Sequence, residues 1–252
     1  SQLGLPTIHA LVLALDAASG KPLALLEGGS LTAIRTGAVS GAATDLLARQ
    51  DARSVAIIGS GVQARTQLEA VCTVRPIEEV RVFSIIPDQA KQFAQELAGR
   101  WPIPPSITVT KDANSAVEEA DIICTATTSS TPVFDGERLK PGAHVNGVGS
   151  FTPDMQENDL QTVKRSLVVV DSRQAALEEA GDLIIPLQNG DIVQEHIVAE
   201  LGEIVTGIHP GRTDPSQITF FKSVGVAVQD AAAASIALGN ALANGLGSTV
   251  TL

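Results

Sequence analysis

The spacing of apolar positions changes character at Ala52, and that change divides the chain. Ahead of it, residues 8–14 (Ile-His-Ala-Leu-Val-Leu-Ala) and 22–26 read as two strands around Asp16-Ala-Ala-Ser-Gly20, a stretch of turn formers. From Leu31 to about Ala48 the chain is rich in Ala and Leu and predicts one long helix, with Ser30 or Thr32 as its cap. Beyond Ala52 short apolar runs alternate with helical spacing. The pattern predicts strands at 54–58, 79–84, 107–110, 121–126, 144–148 and 166–170, with helices at 62–74 and 87–99. This alternation is the punctuation of βαβ units and predicts a parallel, doubly wound sheet. Ile218–Asp230 then reads as a strand that breaks at Ser223 and Gly225 and runs into an Ala-rich helix to about Leu242. A helix so rich in alanine packs closely against another of its kind, and 33–48 is the expected partner.

The first strand of that series, Ser54-Val-Ala-Ile-Ile58, runs into Gly59-Ser60-Gly61-Val62-Gln63-Ala64 and then into a helical pattern through Leu68 and Val71. Gly59 permits a tight turn, Gly61 lets backbone approach a pyrophosphate, and Ala64 keeps the new helix close to the strand. The free N–H groups of the helix start face the phosphates. The string alone also occurs in ordinary strand-to-helix turns; the flanking strand and helix supply the context that a dinucleotide needs. The expected fold is therefore α/β: a Rossmann-type domain over 51–210, inserted in a smaller α+β domain made of 1–50 plus 211–252. The second strand should end on an acid for the 2′-hydroxyl of NAD, or near an Arg for the 2′-phosphate of NADP. Here it ends Val82-Phe-Ser-Ile-Ile-Pro87, with neither, so NAD or NADP stays open.

Composition narrows the partners. With 17 basic against 28 acidic residues the net charge is −11, which disfavours nucleic acid and anionic membrane surfaces. The sequence has no uncharged apolar run of membrane-spanning length and no signal peptide at its start. Cys72 and Cys124 fall in a helix pattern and a strand pattern and read as reduced packing residues of a cytoplasmic protein. His9, His144, His196 and His209 are scattered without ligand spacing, so no metal site is expected.

Other candidates carry less weight. Arg35 and Thr36 sit near the positive end of the first helix, where an arginine is misplaced unless an anion joins it; the plain alternative is a solvated surface residue. Cys124–Ser130 and His144–Ser150 end parallel strands with small polar residues and glycines, which suits either a ligand crevice or an ordinary loop. Thr152-Pro153-Asp154 reads as a helix start, and Glu178, Glu179 and Asp182 read as a solvated helix face.

Several stretches together resemble the ornithine cyclodeaminase / mu-crystallin family over nearly the whole chain. They are Leu5-Pro-Thr7, Leu31-Thr-Ala-x-Arg-Thr-Gly-Ala38, Gly59–Ala64, Gly149-Ser-Phe-Thr-Pro-Asp154 with Glu157, Glu179-Ala-Gly-Asp182 and Thr219-Phe-Phe-Lys-Ser-Val-Gly225. The resemblance implies a homodimer formed through the smaller domain, and an amino- or imino-acid substrate. By position, Arg35 resembles the family arginine that holds the substrate carboxylate, which makes it the candidate catalytic and substrate-binding residue, with Val224 beside the substrate. Thr7, Thr36, Val62, Gln63, Ser84, Thr125 and the loop Val145, Asn146, Gly147, Val148 would join Gly59 and Gly61 at NAD(P), and Ser223 would meet its nicotinamide end. The family's catalytic lysine would fall ahead of Ser1. Cyclodeaminases carry an aspartate where this chain has Phe151, which weakens ornithine cyclisation. The expected activity is therefore NAD(P)H-dependent reduction of a small 2-imino acid such as pyrroline- or piperideine-2-carboxylate, or interconversion of alanine and pyruvate. An ornithine cyclodeaminase using bound NAD and a non-enzymatic, mu-crystallin-like ligand-binding protein are the alternatives.

Overall fold

A computed structural model describes residues 9–250, so Thr7, with Leu5 and Pro6, lies outside the described residues. The chain forms two compact units, one of residues 1–35 and 226–252 and one of 36–225.

In the first unit, β1 (Leu11–Leu15) and β2 (Pro22–Glu27) pair antiparallel, with Leu13 opposite Leu25. The helix α1 (Gly28–Leu47) follows at once. Its cap is neither Ser30 nor Thr32. The Glu27 carboxylate accepts the N–H groups of Gly29 (2.6 Å) and Ser30 (2.7 Å), so an acid ending the preceding strand starts the helix three residues early. Gly28 permits this, because a Cβ there would lie 2.8 Å from Ala10.

The second unit takes up the rest of α1 and continues with β3 (Ser54–Ile58), α2 (Val62–Val74), β4 (Glu79–Phe83), α3 (Pro87–Leu97), β5 (Thr108–Val109), α4 (Ala113–Val117), β6 (Ile122–Thr125) and β7 (His144–Gly147). After these come α5 (Leu160–Lys164), β8 (Ser166–Val170), α6 (Arg173–Glu179), α7 (Gly181–Gln188), β9 (Ile197–Glu200), α8 (Leu201–Val205) and β10 (Ile218–Lys222). The strands form one parallel sheet in the order β5-β4-β3-β6-β7-β10-β8-β9. Its middle strands are continuous apolar runs because both faces are covered; Val55, Ala56, Ile57 and Ile58 are all buried.

The observed units divide at 35/36 and 225/226 instead of at 50/51 and 210/211. The reason is packing: Phe220 and Phe221 of β10 are fully buried in the sheet, and Ala43 and Leu47 of α1 pack with Phe221, Val169 and Ala199. Two further expectations are corrected. Thr152–Asp154 forms a turn in which Thr152 Oγ1 donates to Asp154 (2.6 Å), and the next helix starts at Leu160, capped by Asp159. The turn is held down by Ser150 Oγ, which donates to the Met155 carbonyl, and by the Gln156 N–H on the Ser129 carbonyl. Of the acidic cluster, Glu178 and Glu179 are exposed, but Asp182 is fully buried.

One side chain ties the amino-terminal edge of the sheet together. Asp121, just ahead of β6, accepts the N–H groups of Arg53 (2.8 Å) and Ser54 (3.0 Å) and the Ser54 hydroxyl (3.0 Å). Arg49 and Lys140 pair with its other oxygen at 2.9 and 2.8 Å.

The first unit closes with α9 (Ala227–Ala243), which packs on β1 and buries only Ala234. Within this unit α9 meets α1 through Arg35, whose Nε donates to Asp230 (3.0 Å) and whose Nη1 donates to Gln229 (3.1 Å). Most of α9 is exposed.

Candidate functional site

The strands on either side of β3 receive the chain from opposite directions, so the loops after β3 and β6 diverge at their carboxyl ends. In an open parallel sheet that divergence makes a crevice. Here it is a cleft of about 540 Å³, floored by Gly59–Gly61 and walled by Phe83–Ile86 with Gln89 on one side and Ala126–Ser129 with Thr131–Val133 on the other. Gly59 has φ +115°, and a Cβ on it would stand 2.5 Å from the Ala126 carbonyl oxygen, so only glycine fits. A Cβ on Gly61 would meet nothing within 4 Å. The open space above Gly61 is what a closely approaching phosphate needs. α2 starts there without a side-chain cap, leaving its first N–H groups for a ligand. Gln63, in the same turn, has a buried Oε1 with no hydrogen-bond partner among the described residues. These features fit a dinucleotide.

Behind the cleft wall lies a buried charged network. Glu157 accepts the N–H (2.5 Å) and hydroxyl (2.7 Å) of Thr127 on one oxygen, and the N–H groups of Gly149 (2.6 Å) and Ser150 (3.1 Å) on the other. It thereby joins the loop after β6 to the loop after β7. Asp182 accepts the N–H groups of Glu157 and Asn158 and the Asn158 amide, and it faces Lys222 Nζ at 3.7 Å. Lys222 also donates to the Gly147 carbonyl at 3.2 Å. All three charged side chains are fully buried. Burial, and then the neighbouring Asp182, push the Glu157 carboxyl above its ordinary value. At the end of β8, Asp171 accepts the Ser223 hydroxyl (2.8 Å) and the N–H groups of Val224 (3.2 Å) and Gly225 (2.7 Å), fixing the turn after β10.

Gly59, Gly61 and Ser84 line the cleft, Val62 lies exposed and Gln63 partly buried at the start of α2, and Gly147 ends β7 with Val148 just after it. Thr125 is buried, its hydroxyl accepting from Asn158, and Thr36 is buried with its carbonyl accepting from Gln67. Ser223 and Val224 stand in the turn held by Asp171. Val145 and Asn146 lie within β7. β7 is paired on both sides, Val145 packs in the apolar core, and the Asn146 amide donates to Thr44 Oγ1 (2.9 Å) while its oxygen meets His144 Nε2. Arg35 is not a solvated surface residue: its side chain is 13% exposed and paired with Asp230. The cysteines are free and buried, which pushes both thiols up to about 12. Residue-by-residue reading gave no role to Lys222 or Asp171; a lysine closing the apolar run Phe220-Phe221 was the available signal.

The sheet order, the glycine turn and the cleft define a dinucleotide-binding α/β protein. More specifically, the chain belongs to the Ornithine cyclodeaminase/mu-crystallin family, whose sequence profile matches residues 1–245. It is 46% identical over 250 residues to a Delta(1)-pyrroline-2-carboxylate reductase of Bacillus cereus, covering 99% of this chain and 76% of that one. It is 37% identical to the ketimine reductase mu-crystallin of Mus musculus, covering 94% of this chain and 71% of that protein. The structure of Thermococcus litoralis Delta(1)-pyrroline-2-carboxylate reductase in complex with NADH and L-proline superposes with a TM-score of 0.95 at 47% identity, covering 99% of this chain and 76% of that one. An archaeal alanine dehydrogenase dimer with bound NAD gives 0.92 at 35% identity, covering 100% and 77%.

Proposed function

We propose that this protein uses NAD(P)H to reduce the C=N bond of a cyclic 2-imino acid, with pyrroline-2-carboxylate as the leading substrate. The observation that carries the reading is Arg35: a guanidinium mostly withdrawn from water and fixed at Nε and Nη1, a geometry suited to gripping a carboxylate. The identity of nearly half the chain to two pyrroline-2-carboxylate reductases supports the same substrate class. Gly59, Gly61 and the open start of α2 would hold the pyrophosphate, and Ser84 would face the adenosine end. The cofactor, when bound, supplies the hydride. The protein's share would then be orientation, with Arg35 on the carboxylate. Phe151 is 47% exposed where the cyclodeaminases carry an aspartate, and its ring offers no acceptor for an ammonium.

Oxidation of NADH and NADPH tests this with pyrroline-2-carboxylate, piperideine-2-carboxylate and ammonia plus pyruvate, alongside ammonia release from ornithine. Turnover of the cyclic imines and none of ornithine is expected; release of ammonia from ornithine with formation of proline would reverse the order of the readings. Arg35→Lys keeps the charge and loses the fork, so kcat/KM should fall about ten- to a hundred-fold, the worth of a hydrogen bond to a charged group. Arg35→Ala should fall further, with NAD(P)H affinity little changed. We also propose a homodimer, supported by the exposed leucine face of β1 and β2 and by the dimeric archaeal relative.

A further inference from the structure

We propose that Asp230 and Gln229 are positioning residues that aim Arg35 at the substrate carboxylate, an inference that rests on Arg35 being the carboxylate clamp. A guanidinium presents five N–H donors in one plane, and its position in that plane decides which edge meets an incoming anion. Asp230 takes the Nε–H at 3.0 Å through one oxygen, and Gln229 takes an Nη1–H at 3.1 Å through its amide oxygen. Nη2 makes no hydrogen bond among the described residues, and the pair through Nε is single, so the far edge of the fork keeps its donors.

The choice of partners fits this role. One carboxylate offsets the cost of withdrawing Arg35 from water, where an unpaired charge is expensive. The second partner is neutral, so it adds direction without a second negative charge to repel a carboxylate. Both residues lie in the first turn of α9, which has no side-chain cap.

The discriminating quantity is the ratio of kcat/KM for pyrroline-2-carboxylate to that for 1-pyrroline, the same imine without the carboxylate. Asp230→Ala should cut this ratio about tenfold, chiefly through KM for the carboxylate substrate, while the 1-pyrroline rate and NADH affinity by titration stay near wild type. Asp230→Asn keeps an acceptor for Nε and should lie between wild type and Ala. Gln229→Ala should act in the same direction more weakly. In an Arg35→Ala background, Asp230→Ala should lower the ratio no further. An unchanged ratio in Asp230→Ala, or an equal loss on both substrates, would overturn the inference. If Arg35→Ala itself leaves the ratio untouched, the carboxylate-clamp reading has failed first.

Discussion

Two glycines in one turn are held for different reasons, and substitution should separate them. Gly59 combines a positive φ with a carbonyl oxygen 2.5 Å from where a Cβ would stand, so Gly59→Ala strains the chain itself. A residue forced into such a conformation costs about 1–3 kcal/mol, and thermal unfolding should register the loss. Gly61 has neither constraint, but it floors the cleft. Gly61→Val should therefore leave the melting temperature nearly unchanged and abolish NAD(P)H binding by titration; retained affinity would remove the dinucleotide site from this turn. The turn itself was legible in the sequence because turn, strand and helix are neighbours along the chain. Glu157, Asp182 and Lys222 were not legible as a unit, since residues 157, 182 and 222 meet only once three strands have aligned. Asp182 was misread as solvated for the same reason: two exposed acids precede it, and only its partners make its burial tolerable.

Elements follow the same division between local and distant causes. Strand 54–58 and helix 62–74 stand where their apolar spacing puts them. The cap of α1 and the turn at 152–154 depend on Glu27 at a strand end and on contacts from residue 129, which periodicity does not carry. Asp121 is the clearest case of an element edge governed by one charge. Burial opposes its ionisation, but hydrogen bonds from Lys140, the Arg53 N–H and Ser54 outweigh it and hold the carboxyl at about 2, below the ordinary 3.8. A carboxyl depressed on folding contributes stability that is full above the unfolded value and is lost as pH falls through the folded one. Asp121→Asn should thus cost about 1.5–3 kcal/mol near neutrality, as expected for hydrogen bonds to a charged group. Urea midpoints measured against pH should show the gap to wild type closing between about pH 4 and pH 2. A gap that persists at pH 2 would mean that shape, not charge, joins β3 to β6.

For the whole molecule, the first unit raises the question of assembly. Leu11, Leu13 and Leu15 of β1 and Leu23 and Leu25 of β2 are each more than half exposed, the apolar face on which the proposed dimer would close. Light scattering should give twice the chain mass, and replacing Leu13 and Leu25, which lie opposite each other, by Glu should shift the protein toward monomer. A monomeric wild type would sink the dimer. The second unit sets a different condition, on order in time. β10 lies between β7 and β8 but follows both along the chain, with Lys222 bonding Gly147 across 75 positions. During synthesis from the amino terminus, β3 to β7 emerge with their helices and can pair while the central place in the sheet is still vacant. Until residues 218–222 leave the ribosome, one edge of β7 and one of β8 carry unpaired backbone groups, the kind of surface that recruits stray strands. The nascent chain is therefore most prone to misassembly late in translation, after most of the nucleotide cleft has been made and before the strand that seals the sheet arrives.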